Sequence, residues 1–586
     1  MDRLLKTTEK KEAEEEILFK NYFVPFTTAK AITWIIIVGV IIYGNMLFNG
    51  FVWDDGFQLA ANSFVQSGQY FYYFTHTVGP YYKPLMFFIY TLFFPLFQLN
   101  AFFYHSFQLI LHSINTIVLF LLFRHFFRKS VISFALALLF LVHPMNEETV
   151  AYIADYQDIL FVFFGLLALY VTTHQVFKKY SDIVTAVLVF LSTLSKETGV
   201  LFAFVIILYA FFFKKVAKVK TILFSSCAAV CYFFIRFILV GPINPSNFTN
   251  AVPPNTITSA PFIDRLFTIP KIIFFYFSTF VYPANLAVQY WYVKALNFQD
   301  VILPFIIDLC IFILFIGYGL SLYHKKNTLS KTYWFFFFWF CIGLLLHLQL
   351  FPLDFTAADR WFYFPIIGLL GMIGVFVSQV KINNEIIKTL CLLLLISLFF
   401  IFSIRTMVRN SNWYSDITLF QNDLPTMENV ADPQYLYGTA FLEQGDYPDA
   451  VIHLKKASEL APRNYQVWHN VGIGYLHLNQ LELARYAFLQ EISLHKDSSV
   501  PYRSLVYILL VQHKSKEALQ GAKKDVKSWP DDPFLWRMQG IAEYQINNKS
   551  LALQDFEKSY SLAPYSITQN YIYEVQQNIP LEMNEL

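Results

Sequence analysis

Hydrophobic residues are distributed in two regimes along the chain. From Ala31 to about Val408 they form runs of roughly 17–25 residues, the length of helix needed to cross about 30 Å of hydrocarbon. After Asn410 those runs stop and short, polar, helix-like patterning takes over. The apolar runs predict crossings near 31–49, 102–123, 131–143, 159–177, 182–195, 199–213, 219–240, 301–323, 332–350, 364–380 and 386–408. The first of them starts late and is long, so it reads as a signal anchor rather than a cleaved signal peptide. Residues 266–283 are apolar but carry Pro270, Lys271 and Pro283, which suits a re-entrant or interfacial segment.

The last third repeats itself. Ala450, Ala484, Ala518 and Ala552 are spaced 34 residues apart. Gly438, Gly472 and Gly540 keep one phase of that register, Pro462, Pro530 and Pro564 a second, Trp468, Tyr502 and Trp536 a third, and Leu454, Phe488 and Phe556 a fourth. Small residues where paired helices touch, with proline at the unit boundary, resemble the tetratricopeptide repeat. Four units fit, at 431–464, 465–498, 499–532 and 533–566, with a capping helix at 567–579. Val506 stands where glycine is usual and Lys496 where proline is usual. The predicted fold is all-α: a polytopic transmembrane bundle of about 11 crossings followed by a soluble repeat solenoid. Its parts are a tail at 1–30, a membrane domain at 31–408, a linker at 409–430 and the repeats at 431–579.

Charge orients this arrangement. One set of loops is basic, with Arg124, Arg128 and Lys129, Lys178 and Lys179, Lys214, Lys215, Lys218 and Lys220, Lys325, Lys326 and Lys331, then Lys381 and Lys388. The alternating set is acidic, with Asp54 and Asp55, Glu147, Glu148, Asp155 and Asp158, Asp264 and Asp300, then Asp354 and Asp359. Lys and Arg favour the cytoplasmic side, so the N-terminus is expected inside and the repeats outside. A bacterial inner membrane is favoured over an endoplasmic reticulum. At 56% hydrophobic and 14% charged, against about 25% charged for an average soluble domain, the composition argues against a soluble enzyme. A net charge of +2 argues against nucleic acid as a partner. All five cysteines lie in apolar runs without metal-ligand spacing.

The candidate chemistry gathers in the acidic loops. Asp54 and Asp55 directly follow the first apolar helix, where one carboxylate could take a proton from an acceptor hydroxyl and the other orient it or bind a metal. A solvated loop with two acids is the plainer reading. In HPMNEETVAYIADYQDIL, Pro144 should break a helix, and Glu148, Tyr152 and Asp155 would share a face of a short helix at the outer surface. His143 is either structural or an orienting partner of the acids. The His143–Glu147 spacing raises a divalent metal, for which two ligands are too few. Lys196 and Glu197 sit in LSKETGV, as an ion pair or as a cation for a phosphate. Arg360 in DFTAADRWFYFP could hold a phosphate bidentately, with Trp361, Phe362 and Tyr363 as headgroup contacts or interfacial anchors. Lys83 in YYKPL is a further cation on the same side.

The ordered set of a DD loop, KPL, HPxxxE, LSKE, DRxxYxP and a repeat tail resembles the transmembrane and tetratricopeptide-repeat O-mannosyltransferases and their prokaryotic relatives, within the GT-C glycosyltransferases. The linker RNSNWYSDITLF at 409–420 resembles theirs as well. The resemblance implies a polyprenyl-phosphate sugar as donor and a protein or glycan acceptor reached through the repeats; it leaves a metal open and implies no other cofactor. It assigns Asp54 and Asp55 to the catalytic base, with Glu148 as the second-loop acid. Lys196 and Glu197 match the LSKE element, and Arg360 the cation before Tyr363. One departure is Tyr156, where relatives carry arginine. If that arginine holds the donor phosphate, Arg360, Lys83 or Lys196 must stand in for it. Rival readings are an oligosaccharide ligase or polymerase, a non-catalytic repeat scaffold and, least well supported, a transporter.

Overall fold

The computed structural model describes residues 26–77, 81–213, 218–241, 257, 260–290, 298–353 and 355–581. Most of the expected tail, with Lys214, Lys215 and Asp354, lies outside the described residues. Two compact units result, Met1–Thr426 and Met427–Leu586. Among the described residues both are built from helices, and the sole strand-like pairing is an isolated bridge between Tyr290 and Ala357.

Among the described residues of the first unit six helices are long and apolar enough to cross a membrane: Thr28–Phe48, Ala101–Phe127, Ile153–His174, Val219–Ile238, Phe298–His324 and Glu385–Asn412. Each coincides with an expected crossing. A seventh is added if Ser130–Val142 and Pro144–Ala151, bent by 55°, form one span. The remaining expected crossings fall on shorter helices, Ser181–Ser195, Glu197–Phe213, Ser330–Leu345 and Pro365–Gln379. Polar breaks such as Ser195-Lys196 and Gln379 end these helices before they reach about 20 residues. Residues 266–281 form no re-entrant turn; they belong to one continuous helix, Phe262–Val281, with Pro270 inside it. An apolar helix not foreseen in the sequence, Pro84–Phe97, has proline at its first position, where no amide hydrogen bond is lost.

The second unit consists of four antiparallel helix pairs, Ala431–Gln444 with Tyr447–Leu460, Tyr465–His477 with Leu481–Leu494, Val500–Val511 with Ser515–Ser528, and Pro533–Gln545 with Lys549–Leu562, closed by Ser566–Gln576. The repeat register explains the packing. A Cβ on Gly472 would stand 2.6 Å from the Phe488 ring, and one on Gly540 2.7 Å from Phe556, so glycine lets the aromatic side chain seat against the facing helix. In the third pair the bulk is exchanged. Val506 replaces glycine while Ala522 replaces the aromatic, and both are buried in one core. The half-buried Trp468 and Trp536 donate from Nε1 to the carbonyls of Pro462 and Pro530, each at 2.8 Å, tying each unit to its proline boundary.

Candidate active site

The first loop turns at Trp53, which has a left-handed backbone (φ 54°). The two neighbouring carboxylates then have different fates. Asp55 is buried, and both its oxygens accept backbone amides: Oδ2 from Val52 at 3.0 Å and Oδ1 from Ala154 at 2.6 Å. It fastens the first loop to the second. Asp54 is only half-buried and receives one long hydrogen bond, from Gln58 Nε2 at 3.4 Å. Burial raises its pKa above the usual carboxylate value, while the Tyr152 hydroxyl and the Lys83 and Arg360 cations act in the opposite sense. For Asp55 burial likewise raises the pKa, against the two amide donors that act to lower it.

The second loop is buried instead of lying at a surface. Its short helix covers only Glu147–Ala151 and ends at Tyr152, so Glu148, Tyr152 and Asp155 are placed by a broken chain and not along one helix face. Glu148 pairs with the Arg360 guanidinium, and its Oε2 accepts the Arg360 amide at 2.9 Å. Arg360 also donates to the Val288 carbonyl at 3.2 Å, and its Nε stands 4.0 Å from Asp155. Trp53, Tyr152 and Phe355 surround the guanidinium, with ring centroids 5.7, 5.9 and 5.5 Å away. Lys196 donates to both oxygens of Asp158, at 2.7 and 2.8 Å.

The three expected phosphate-binding cations therefore differ. Arg360 and Lys196 are committed to buried internal pairs. Lys83 has no carboxylate within ion-pair distance among the described residues, and its Nζ lies 4.2 Å from the centroid of the Tyr81 ring. Burial brings its pKa down to about 8, with Glu197, Asp155 and Asp54 opposing that shift and Lys196 adding to it. Lys83 is also the N-cap residue of Pro84–Phe97. The positive end of that helix dipole and the ammonium favour the same guest, an anion.

Two expected residues stand apart from this cluster. His143 is fully buried, with Nε2 donating to the Phe280 carbonyl at 3.0 Å and Nδ1 accepting the Met145 amide at 3.3 Å. Both ring nitrogens are used in holding the bend after Val142, so it orients neither acid. The Tyr363 hydroxyl bonds His112 Nδ1 at 2.8 Å and Asn115 at 3.2 Å, locking helices inside the bundle. Tyr156 donates to the Tyr104 carbonyl at 2.6 Å and is buried, so it does not replace the missing arginine. Glu197 is exposed and influences Lys83 through its charge. Among the described residues no three His, Cys, Asp or Glu side chains converge to hold a metal ion.

Other residues of the site were not anticipated, and most come from the linker. Trp413 is fully buried, stacks on Tyr152 at 5.2 Å and donates from Nε1 to Glu147 at 3.1 Å. Arg409 holds Asp423 through both terminal nitrogens, at 2.5 and 3.0 Å, and lies 3.7 Å from Glu147. Asp416 accepts the Trp53 amide at 2.7 Å. All of them lie in or beside RNSNWYSDITLF, so the linker motif was the available signal.

A family model described as dolichyl-phosphate-mannose-protein mannosyltransferase matches residues 79–240, a stretch that holds Lys83, Glu148, Asp158 and Lys196. Protein O-mannosyl-transferase F38B6.6 of Caenorhabditis elegans is 25% identical over 404 residues, covering 65% of this chain and 54% of that protein. Protein O-mannosyl-transferase TMTC1 of Homo sapiens is 25% identical over 503 residues, covering 73% and 55%. The chain is similar to proteins named as protein O-mannosyltransferases. It spans about half the length of the curated relatives it matches. Among solved structures, the crystal structure of MamA is similar to 25% of this chain and 86% of its own, at 18% identity and a TM-score of 0.24. The helix pairs themselves, rather than that likeness, define the repeats.

Proposed function

We propose that this membrane protein is a glycosyltransferase. It moves a sugar, mannose by analogy with its relatives, from a polyprenyl-phosphate donor to a hydroxyl on a protein, at the extracytoplasmic face. The donor chemistry and the face rest on the family likeness and on the loop charges. Residues 31–408 carry the reaction in this reading, and the repeats at 431–579 hold the acceptor. The observation that carries it is the convergence of Asp54, Lys83, Glu148, Asp158, Lys196 and Arg360, from five separate stretches of sequence, into one cluster with a half-buried carboxyl and an ammonium that has no carboxylate at ion-pair distance among the described residues. A scaffold would have no need to bring them together.

In the proposed reaction the Asp54 carboxylate takes the proton of the acceptor hydroxyl. The freed oxygen attacks the anomeric carbon opposite the phosphate, the bond from carbon to phosphate oxygen breaks, and the configuration inverts. The leaving lipid phosphate is neutralised by Lys83 and the helix end it caps. The internal pairs at Arg360 and Lys196 hold the loops in register. Asp55 is excluded as the base in this reading because both its oxygens are already engaged.

Asp54→Asn should lower transfer by about 10²–10⁴-fold while leaving the protein folded, the span expected for loss of a positioned base. Asp55→Asn should instead weaken the loop, because an amide nitrogen would face a backbone N–H. The check is turnover of polyprenyl-phosphate mannose by purified full-length protein in nanodiscs, read as polyprenyl phosphate released. Undiminished turnover by Asp54→Asn would sink the assignment.

A further inference from the structure

Trp53 holds a backbone conformation that L side chains rarely adopt, and such conformations persist only where their surroundings enforce them. Its enforcement can be traced. The Trp53 amide donates to Asp416 Oδ1 at 2.7 Å, and the indole stacks on Tyr152 with centroids 5.2 Å apart and planes 15° from parallel. The next two residues diverge after this turn, Asp55 onto the Ala154 amide and the half-buried Asp54 toward Gln58 and the Lys83 and Arg360 cations.

Asp416 is itself held against the first loop. Asn410 Nδ2 donates to the Ile42 carbonyl at 2.8 Å, Asn45 Nδ2 to Met407 at 2.8 Å, Asn49 Nδ2 to Asn410 at 2.8 Å and the Gly50 amide to Tyr414 at 3.2 Å. Residues 407–416 thus run beside 42–53, bonded step by step, and the last rung is the bond to Trp53. Ser415 caps the helix Asp416–Asp423 with a reciprocal capping box, which fixes where the Asp416 carboxylate stands.

We propose that Asp416 is a positioning residue for Asp54: by accepting the Trp53 amide it locks the left-handed turn that presents the Asp54 carboxyl to the acceptor. This rests on the reading of Asp54 as the base. It places a determinant of the reaction in the segment leading into the repeats.

Asp416→Ala removes the acceptor atom, whereas Asp416→Asn keeps a carbonyl oxygen there and loses only the charge. Hydrogen exchange on the full-length protein in nanodiscs should show the Trp53 amide exchanging at least about tenfold faster in Asp416→Ala and near the wild-type rate in Asp416→Asn. Turnover of polyprenyl-phosphate mannose should fall about tenfold or more in kcat for Asp416→Ala at unchanged KM, and recover in Asp416→Asn. Unchanged Trp53 exchange in Asp416→Ala would overturn the assignment, as would an Asp416→Asn variant as poor as Asp416→Ala. Full turnover by Asp54→Asn would instead overturn the reading beneath it. An inactive Asp54→Asn with normal Trp53 exchange in Asp416→Ala would overturn the role of Asp416 alone.

Discussion

The cluster around Asp54 and the repeat unit are both helical, yet they are held by opposite means. In the repeats the decisive contacts join residues about half a period apart, as between Gly472 and Phe488, and they recur. Around Asp54 each decisive contact occurs once and joins distant stretches: Glu148 to Arg360 is 212 residues, Asp55 to Ala154 is 99 and Trp53 to Asp416 is 363. A recurring apolar contact can be lost in one unit while its neighbours still stack. A buried ion pair made once has no such reserve, because either partner left alone is an uncompensated charge.

The largest effect should therefore come from breaking such a pair. Arg360→Ala strands Glu148 among buried residues, at an expected cost of about 3–5 kcal/mol. Replacing both partners, Arg360→Leu with Glu148→Leu, should recover most of that stability while leaving transfer impaired. Thermal unfolding followed by tryptophan fluorescence in detergent distinguishes the cases. A single variant as stable as wild type would show that the pair does not bind the loops together.

A smaller and reversible effect is expected from pH. Catalysis in the proposed scheme needs Asp54 charged and Lys83 charged. Because the Asp54 pKa is raised, its basic form accumulates only above the range of an ordinary aspartate, so the acid limb of turnover should lie above that range. Lys83, brought down to about 8, loses its proton above that pH, so turnover should fall again on the alkaline side. Arginine stays charged at every pH used, so Lys83→Arg should move the alkaline limb upward or abolish it. An alkaline limb unmoved by that substitution would assign it to another group.

The same contrast governs what the sequence revealed. Period and run length are local signals, and they located the four helix pairs and the six long apolar helices, because each depends on residues within one or two turns or one repeat. The short helices Ser181–Ser195 and Pro365–Gln379 match the runs at 182–195 and 364–380 to within a residue, because the polar residues that end them are themselves visible in the sequence. Motifs placed Asp54, Glu148 and Arg360 in one list but not in their roles. That Arg360 is already paired with Glu148 and that His143 Nε2 is spent on the Phe280 carbonyl are properties of partners 212 and 137 residues away, and among the described residues Lys83 has no carboxylate at ion-pair distance. The linker was legible as a motif, but its residues became part of the site only once the chain returned to the first loop.

The smallest expected effect tests the repeat side of the comparison. Val506 and Ala522 invert the glycine–aromatic pairing seen at Gly472–Phe488 and Gly540–Phe556, so the third pair is filled from the opposite helix. Ala522→Phe alone would force a ring against Val506, and overpacking of this kind costs about 1–3 kcal/mol. Val506→Gly alone would leave a void and add the helix penalty of glycine, about 1 kcal/mol. Made together, the two changes restore the pairing used by the neighbouring repeats, and only the glycine penalty should remain. Hydrogen exchange of the amides in Val500–Val511 and Ser515–Ser528, on the full chain, reads these differences locally. If the double variant opens as readily as the worse single one, the exchange of bulk is not what fills the third pair, and Leu510, Ala518 and Met538 in the same core must set its packing instead.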